Sequence, residues 1–548
     1  MKRRVFLKLL SSASLFGFIR SSDTPKSTSS TRTADSIDRY IDPLPPLPVL
    51  RPVSQRKGVS EYHIRLREFQ HRIHSQLAPV TAWGYEGMWP GPTIEAVCNQ
   101  RVVVHWQNAL PHRHLFPIDT HLHGAMPPAP QVRAVTHLHG GRSLSKFDGL
   151  PENWYTSGQN WTTQYENRQP PATLWYHDHA LGITRLNIYA GLSGFYLLRE
   201  DREKEMNLPS SAFEIPLLLQ DRTLSASGQL LYTPTHDDRK PLPPGVWGPE
   251  FFGTHPVVNG ALFPCLAVEP RRYRLRMLNG ANSRFFEIFF NLAKSPFDIP
   301  QIVNFTQIGS DQGYLPHPVQ MQKVLIAPAE RADVVIDFSE LEGKTVTVSN
   351  RAAAPYPLME ALPQTAPLHE LMQFKVTLPL SGKDSSSAPS WNTPRETLDA
   401  ASAVKIRDLV LYEYLDKDGR SLSAKIDAKG YDESTSEIVK LNTTEMWRFI
   451  NTTEDAHPLH LHLVRFQVVE RQGFDLLKFQ SGAGLHMNGP KRLPPAGESG
   501  WKDTVVVGPS EVVTIIAHFE GFPGKYLYHC HMLEHEDNDM MRPFQVVE

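Results

Sequence analysis

The chain of 548 residues has little cysteine, no excess of basic charge and no long apolar run. Its three cysteines allow at most one disulfide, which excludes a disulfide-stabilised scaffold. Lysine and arginine number 56 and aspartate and glutamate 58, for a formal net charge of −2, so the charge gives no reason to expect nucleic acid as a partner. No segment is long and apolar enough to span a bilayer, and we expect no membrane span in the mature chain.

The first residues predict export rather than part of the fold. Lys2, Arg3 and Arg4 precede a short apolar stretch broken by serines, which is typical of a signal peptide. The run from Arg3 to Lys8 resembles the twin-arginine export signal, whose route carries folded proteins. We therefore expect residues 1–36 to form a signal peptide and a flexible lead, and the mature protein to be periplasmic or secreted.

Proline and histidine, by contrast, are plentiful, at 46 and 24 residues. The proline load argues against a helical bundle, and short alternating segments between turn residues predict many strands. A pattern of strand, asparagine and loop recurs at Asn108, Asn279 and Asn451, at intervals of 171 and 172 residues. A repeat of this size indicates a triplicated module. The sequence therefore predicts an all-β protein of three Greek-key β-sandwich or barrel domains.

Changes in composition mark the domain boundaries. A charged stretch follows residue 200, and a segment rich in serine and proline begins near residue 381. These breaks predict a first domain over residues 37–205, a second over 206–380, a linker over 381–401 and a third domain over 402–548.

Four pairs of histidines share the spacing His-x-His: His137 and His139, His177 and His179, His460 and His462, and His529 and His531. Alternate residues of a strand face the same side, so each pair presents two imidazoles to one place. Two pairs lie in the first predicted domain and two in the third. Eight imidazoles meeting between these domains would hold several metal ions. Zinc fits poorly, because structural zinc sites use four ligands and favour several cysteines.

Cys530 stands between the two histidines of the last pair and so faces the opposite side of the strand. His535 and Met540 follow it, and His457 lies three residues before another pair. One cysteine, two histidines and a methionine form the ligand set of a blue-copper electron-transfer site. The spacing therefore predicts an electron-collecting copper joined through the backbone of Cys530 to a multi-metal cluster.

Two further histidines and two further cysteines are interpreted as lying outside the metal sites. His121 and His123 repeat the wording of the first pair, but Gly141 and Asp148 follow only the later copy. We interpret the earlier copy as a loop outside the metal site. Cys98 and Cys265 are interpreted as small buried hydrophobic residues, with a bridge between them left open.

At these motifs the chain resembles the multicopper oxidases, and most of all the bacterial spore-coat laccases and their bilirubin-oxidase-like relatives. The resemblance covers roughly residues 40–548. It rests on long motifs at residues 137–141, 175–179, 327–331, 457–462, 500–504 and 529–537. It implies three cupredoxin domains that hold four copper ions.

The resemblance also implies a ligand set, carried over residue by residue. A type 1 copper would be held by His457, Cys530, His535 and Met540. A type 2 copper would be held by His137 and His460. The type 3 pair would be held by His139, His177, His179, His462, His529 and His531. The middle domain lacks such pairs and is expected to be a spacer that shapes the substrate face.

The implied reaction is that of a laccase. Phenols, aromatic amines or bilirubin-like donors would give single electrons through His535, and O2 would be reduced to water. Glu536 and Asp148 resemble the family's proton-relaying acids. The cysteines that form a disulfide near the substrate pocket of the spore-coat enzyme have no counterpart in this chain. We expect a monomer.

Other functions compete with this interpretation. A periplasmic cuprous oxidase for copper tolerance would take cuprous ion as substrate, but such enzymes are methionine-rich near the type 1 site, and the 13 methionines of this chain are scattered. A copper-free scaffold protein of the same fold should lack the ligands, and all of them are present. A two-domain copper nitrite reductase does not fit the triplication.

Overall fold

A computed structural model describes residues 33–234, 246–292, 299–357, 368–393, 396–417 and 421–548. The predicted signal peptide falls largely on residues 1–32, which lie outside the described residues. Within the described ranges strands dominate, and the longest helix, Thr184–Ala190, has seven residues. This confirms the all-β prediction. Each described helix is too short to cross a bilayer.

The strands fall into three successive groups, named here the first, second and third sandwich. The first comprises β1 (Ser54–Arg56), β2 (Val59–His71), β3 (Val80–Tyr85), β4 (Gly91–Val97), β5 (Arg101–Ala109), β6 (Arg133–Ala134), β7 (Thr136–His139), β8 (Tyr155–Thr156), β9 (Asn160–Tyr165), β10 (Ala172–Asp178) and β11 (Ser193–Arg199). The second comprises β12 (Glu214–Leu224), β13 (Leu230–Leu231), β14 (His255–Val258), β15 (Ala261–Leu262), β16 (Cys265–Val268), β17 (Arg272–Asn279), β18 (Phe286–Asn291), β19 (Ile302–Val303), β20 (Phe305–Ser310), β21 (Gly313–Met321), β22 (Val324–Ile326), β23 (Arg331–Asp337), β24 (Thr345–Asn350) and β25 (Glu370–Val376).

The third sandwich comprises β26 (Ala403–Leu415), β27 (Ser421–Ile426), β28 (Glu437–Lys440), β29 (Thr444–Asn451), β30 (His457–Leu461), β31 (Phe466–Phe474), β32 (Met487–Arg492), β33 (Thr504–Val507), β34 (Glu511–His518), β35 (Gly524–Cys530) and β36 (Met541–Val547). The helices are α1 (Ser145–Asp148), α2 (Thr184–Ala190), α3 (Leu476–Gln480) and α4 (Leu533–Glu536), with 3₁₀ turns at Ala34–Ser36, Asp201–Lys204, Ser211–Phe213, Ala400–Ser402 and Ala496–Glu498.

Each sandwich is built from two main sheets. In the first, one sheet runs β1-β2-β5-β9 with β3 beside β2, and the other runs β4-β11-β10-β7. In the third, the sheets run β27-β26-β29-β34-β31-β32 and β28-β36-β35-β30-β33. The second sandwich has an eight-stranded and a six-stranded sheet. Parallel pairs recur at β2 with β5, β12 with β17 and β26 with β29, and each requires a crossover between sheets.

The repeated asparagine has one structural role in all three sandwiches. Asn108, Asn279 and Asn451 lie at the carboxyl ends of β5, β17 and β29 and are fully buried. Each side-chain oxygen accepts a hydrogen bond of 2.9–3.1 Å from the backbone N–H two residues on. Each side-chain amide donates to a backbone carbonyl of a neighbouring segment. The asparagine therefore fixes the loop that follows the strand, which explains the recurrence.

Three large apolar cores hold the sandwiches. They gather buried residues between Tyr62 and Phe251, between Leu44 and Val376, and between Leu409 and Val546. The sequence ranges of the first two cores overlap, so the first and second sandwiches pack partly through each other's flanking segments. These cores make the strands that carry the histidines rigid.

The cysteines are all unpaired. Cys98 packs against the first core, Cys265 begins β16, and Cys530 ends β35. Cys98 and Cys265 are half-buried and not fully buried as predicted, whereas Cys530 is buried. All three are free thiols. The bridge that the sequence left open between the first two is therefore not formed.

Candidate metal centre

Strand pairing places the histidine pairs side by side. In the first sandwich β7 runs antiparallel to β10, and His137 lies opposite His177. In the third, β30 runs antiparallel to β35, and His460 lies opposite His529. The backbone ladder fixes this register, so the second histidine of each pair also faces the same side.

The eight histidines of the four pairs come together where the first and third sandwiches meet, and all are buried. His177 Nε2 lies 3.4 Å from His139 Nδ1 within the first sandwich. Between the sandwiches, His529 Nε2 lies 3.4 Å from His179 Nε2, and within the third sandwich His462 Nε2 lies 3.2 Å from the same atom of His529. Ring nitrogens from both sandwiches thus converge on one small volume.

Several of these ring nitrogens have no protein partner. His137 Nε2, His460 Nε2 and both ring nitrogens of His531 are buried without a hydrogen bond. Burying unpaired polar atoms is costly, whereas a metal ion would use them as ligands. Burial lowers the pKa of all three rings well below the usual value, so they are neutral, as metal ligands must be. The donor set therefore fits copper, for which imidazole is a suitable ligand.

Two carboxylic side chains lie behind the rings. His462 Nδ1 lies 2.8 Å from Asp148 Oδ2, and His137 Nδ1 donates to the Asp148 backbone carbonyl at 2.5 Å. On the other side, Glu536 Oε2 lies 3.2 Å from His529 Nδ1. Such partners orient ligand rings and select the nitrogen that faces the metal. Burial raises the pKa of Asp148 to about 7 and that of Glu536 to about 8, so each carboxyl can exchange a proton near neutral pH.

A separate group of donors surrounds Cys530. Its Sγ lies 3.6 Å from His457 Nδ1 and 3.8 Å from His535 Nδ1, and the two nitrogens are 3.2 Å apart. Met540 is fully buried in the same core, and its backbone N–H donates to the His535 carbonyl at 3.0 Å. Thr453 Oγ1 lies 2.6 Å from His457 Nε2, which leaves Nδ1 facing the sulfur. A thiol and two imidazoles at one point suit a blue-copper ion.

The Cys530 thiol needs a cation beside it in order to act as a ligand. Burial raises the pKa of Cys530 well above the usual value for a thiol. The thiolate form, which is the metal ligand, is therefore stable at neutral pH only when a bound cation compensates its charge. Because β35 ends at Cys530, between His529 and His531, one short piece of backbone joins the two groups of donors.

Comparison with known proteins decides the family. Family models described as multicopper oxidase match residues 69–203 and 408–548. The chain is 39% identical to a laccase of Bacillus subtilis, over 94% of this chain and 99% of that protein. It is 39% identical to a laccase of Bacillus stratosphericus, over 94% and 100%. The chain belongs to the multicopper oxidase family.

A solved structure agrees. The fold matches a crystal structure of a laccase from Pediococcus acidilactici with a TM-score of 0.72 at 25% identity, over 92% of this chain and 94% of that chain. These findings confirm the predicted cupredoxin fold and an oxidoreductase of the laccase type. The four-copper complement of one type 1, one type 2 and two type 3 ions is confirmed with them.

The second sandwich of the oxidase contributes polar contacts in place of ligands. The two matched segments contain every predicted copper ligand, and the stretch between them contains none. In the third sandwich the loop after Asn451 leads to His457 and His460. In the second sandwich the loop after the equivalent Asn279 contains Ser283 and no histidine. The Ser283 hydroxyl donates to Glu534 Oε2 at 2.6 Å, directly before His535 in the chain.

An ion pair beside the histidines escaped the sequence analysis. Asp503 Oδ1 lies 3.2 Å from His139 Nε2, and its backbone carbonyl accepts a hydrogen bond of 2.8 Å from His460 Nδ1. Arg331, the first residue of β23, donates to the Asp503 carboxylate through two nitrogens, and both side chains are fully buried. Although burial opposes it, the guanidinium holds the pKa of Asp503 below its usual range. Both residues lie in motifs that carry the family resemblance, at residues 327–331 and 500–504, but nothing in the sequence pairs the two, so only the fold reveals their contact.

The earlier copy of the histidine motif lies apart from these donors. The His121 side chain is 96% exposed. His123 lies 2.9 Å from Asp539 Oδ1 and 2.8 Å from Asp432 Oδ2, and so bridges the first and third sandwiches through carboxylates.

Proposed function

We propose that this multicopper oxidase oxidises phenols, aromatic amines or bilirubin-like pigments, one electron at a time, at the Cys530 site. The type 1 ligands would be His457, Cys530, His535 and Met540. The type 2 ligands would be His137 and His460. The type 3 ligands would be His139, His177, His179, His462, His529 and His531. When bound, the copper ions accept single electrons and deliver four of them to O2, which is reduced to two waters.

The observation that carries this proposal is the position of Cys530 between His529 and His531. Its sulfur faces one group of donors while its neighbours face the other. The Cys530 backbone is therefore a short covalent path between electron entry and the histidine cluster. The two functions sit on opposite sides of one strand end.

Electron entry requires no tailored pocket. His535 is 1% exposed, and its Nε2 is buried without a partner. A donor would therefore pass its electron to the buried ring without binding the metal. Such a route selects donors by proximity and potential, which favours a range of aromatic substrates.

Oxygen reduction to water consumes protons, and we assign their supply to Glu536 and Asp148. Each carboxyl lies beside a ring of the histidine cluster, and a group with a raised pKa holds a proton at neutral pH. Because the pKa of Glu536 is raised to about 8, its acid form predominates below that pH. Turnover should therefore fall as the pH rises through this value.

Replacing Glu536 tests this assignment. Glu536→Gln keeps the shape of the side chain but has no transferable proton. We expect turnover with a phenol to fall by about a hundredfold or more, while copper content and blue absorbance stay unchanged. Asp148→Asn should lower turnover in the same way. Unchanged turnover in both variants would remove the two carboxyls from the proton route.

The proposed substrate class is tested by oxygen uptake. The copper-loaded protein is given a phenolic donor and, in parallel, cuprous ion. We expect rapid uptake with the phenol and little dependence on added copper. Uptake mainly with cuprous ion would reassign the protein to copper detoxification, and no uptake from a fully loaded protein would contradict the oxidase assignment.

Cuprous oxidation is the weaker alternative. Soft thioether ligands bind cuprous ion, so a cuprous oxidase needs methionines that the ion can reach. The methionines nearest Cys530 in the sequence are Met532, Met540 and Met541, and they are at most 2% exposed. A cuprous ion in solution therefore cannot reach them.

We further propose that the oxidase is exported by the twin-arginine route to the periplasm, or secreted, and works as a monomer. The support for export is the Arg3-Arg4 start followed by a short apolar stretch. A variant with Arg3→Lys and Arg4→Lys should accumulate in the cytoplasm, whereas equal export would contradict this route. Sedimentation of the mature protein at one chain per particle would support the monomer.

A further inference from the structure

A second set of metal-type donors lies on the outer face of the first sandwich, apart from the copper ligands. β2 and β5 run parallel, and His63 lies opposite His105 in their register. Glu61 precedes His63 by two residues, so all three side chains project from the same face of the sheet. One ligand atom from each lies within 4.8 Å of the other two.

The distances suit a single small cation. His105 Nε2 lies 2.9 Å from Glu61 Oε1, and His63 Nε2 lies 3.7 Å from the same oxygen. Ligand atoms of a tetrahedral ion with bonds of about 2.0–2.1 Å are about 3.3 Å apart, which falls between these values. Small rotations of exposed side chains would therefore suffice to bring the three atoms around one ion.

One ring is already held in the orientation that a ligand needs. His105 Nδ1 lies 2.9 Å from Thr162 Oγ1 on the neighbouring strand β9, which leaves Nε2 toward Glu61. A polar partner on the second ring nitrogen is the arrangement that fixes metal-ligating histidines. A histidine that only pairs with a glutamate needs neither a hydrogen-bond partner such as Thr162 on its other ring nitrogen nor a second histidine opposite it on the next strand.

We propose that Glu61, His63 and His105 form a surface site for a divalent transition-metal cation, separate from the four coppers. Two imidazoles and one carboxylate suit Zn²⁺ and Cu²⁺, and the general order of affinities places Cu²⁺ above Zn²⁺. The side chains are 39%, 63% and 35% exposed, respectively, so solvent can reach the ion and complete its coordination. The ion joins β2 to β5 and exchanges freely with the medium.

The experiment uses the untagged, copper-loaded protein, dialysed after loading so that exchangeable copper leaves the surface while the internal sites stay filled. Zn²⁺ is titrated by calorimetry, and bound zinc is counted after equilibrium dialysis. We expect one Zn²⁺ per chain at this site, and Cu²⁺ should displace it at lower concentration. His63→Gln, His105→Gln and Glu61→Gln should each weaken Zn²⁺ binding by at least about tenfold, and Thr162→Val by about tenfold through the lost support of His105.

His121→Gln is the matched control, because it removes an exposed histidine that lies near a carboxylate but has no second histidine in register. It should leave Zn²⁺ affinity unchanged. Blue absorbance and oxygen uptake of all five variants should equal those of the parent, which shows that the fold and the copper sites are intact. The proposal is overturned if the parent binds no zinc, or if the His63 and His105 variants bind it as tightly as the parent and the control.

Discussion

Cys530 is the residue on which both colour and electron entry depend, because its sulfur is the single thiol among the donors of the type 1 group. Cys530→Ser replaces it by a hydroxyl of nearly the same size, which is a weak copper ligand. We expect blue absorbance and oxidase turnover to disappear while the circular dichroism of the β-sandwiches is retained. Cys98→Ser and Cys265→Ser, which change the two other free thiols, serve as controls and should keep both properties. Turnover in Cys530→Ser would refute its role.

His123 gives the molecule a pH-dependent contact next to Met540. Its hydrogen bond to Asp539 raises its pKa above the ordinary 6.5, against the opposing effect of partial burial. The charged ring therefore stabilises the fold fully below pH 6.5, and that contribution is lost as the pH rises through the raised pKa.

His123→Gln removes this titration. The midpoint of thermal unfolding should be lower in the variant than in the parent, with the largest difference at about pH 6 and almost none at about pH 9. His121→Gln, which removes a ring that is 96% exposed, is the control for the loss of a histidine. A difference that is the same at every pH would mean that the contact acts through packing rather than charge.

At the scale of strands, the alternation of side chains explains how much of the site was predictable. The spacing of His137 and His139 in β7 is enough to predict that both rings face one place, because alternate side chains of a single strand lie on the same side. The approach of His529 to His179 depends on packing between sandwiches, which no local pattern encodes. The ion pair of Arg331 with Asp503 joins residues 172 positions apart and carries no histidine signature. Its role was therefore missed.

The same pair supports a prediction about β23, the strand through which the second sandwich reaches the copper ligands. Arg331→Met leaves the Asp503 carboxylate buried and unpaired beside His139, and we expect a loss of about 3–5 kcal/mol of unfolding free energy. The type 2 copper should also show an altered electron paramagnetic resonance signal, because His460 is bound to the Asp503 carbonyl. Arg331→Lys, which keeps the charge but loses the two-pronged contact, should restore part of both.

Arg448→Met is the matched control. Arg448 also pairs with an aspartate, Asp408, but both side chains are substantially exposed, at 35% and 45%. Exposed pairs contribute at most about 1 kcal/mol, so this variant should unfold close to the parent and keep its type 2 signal. If the Arg331 variants matched it in both measurements, the Arg331–Asp503 ion pair would have no influence on the copper ligands.

For the whole molecule, the triplicated pattern predicted three sandwiches, and the His-x-His pairs predicted that histidines of the first and third meet, but the protein contacts that join these two sandwiches were not predicted. The eight clustered histidines come half from the first and half from the third, so copper ions bound to them would cross-link the two sandwiches. Protein contacts join the same two units without metal, among them Arg185 with Asp537 at 2.8 Å and Lys525 with Glu152 at 2.7 Å.

Removing copper should therefore loosen the contact between the first and third sandwiches and leave the apolar core of each sandwich folded. We expect the metal-free protein to keep its β-sheet circular dichroism, to unfold at a lower temperature because bound ligand stabilises the native state, and to recover on adding copper. Backbone hydrogen exchange should increase most in β7, β10, β30 and β35 and least in β18 and β24 of the second sandwich.

Cys530→Ser separates the cross-linking ions from the type 1 ion, whose ligands all lie in the third sandwich. Loaded with the remaining copper, this variant should keep slow exchange in β7 and β10, because the histidine cluster is still bridged. Equal loosening in the variant and in the metal-free protein would show that the type 1 ion, and not the bridge between sandwiches, governs the contact. A uniform rise across all three sandwiches would show instead that copper is needed for each of them to fold.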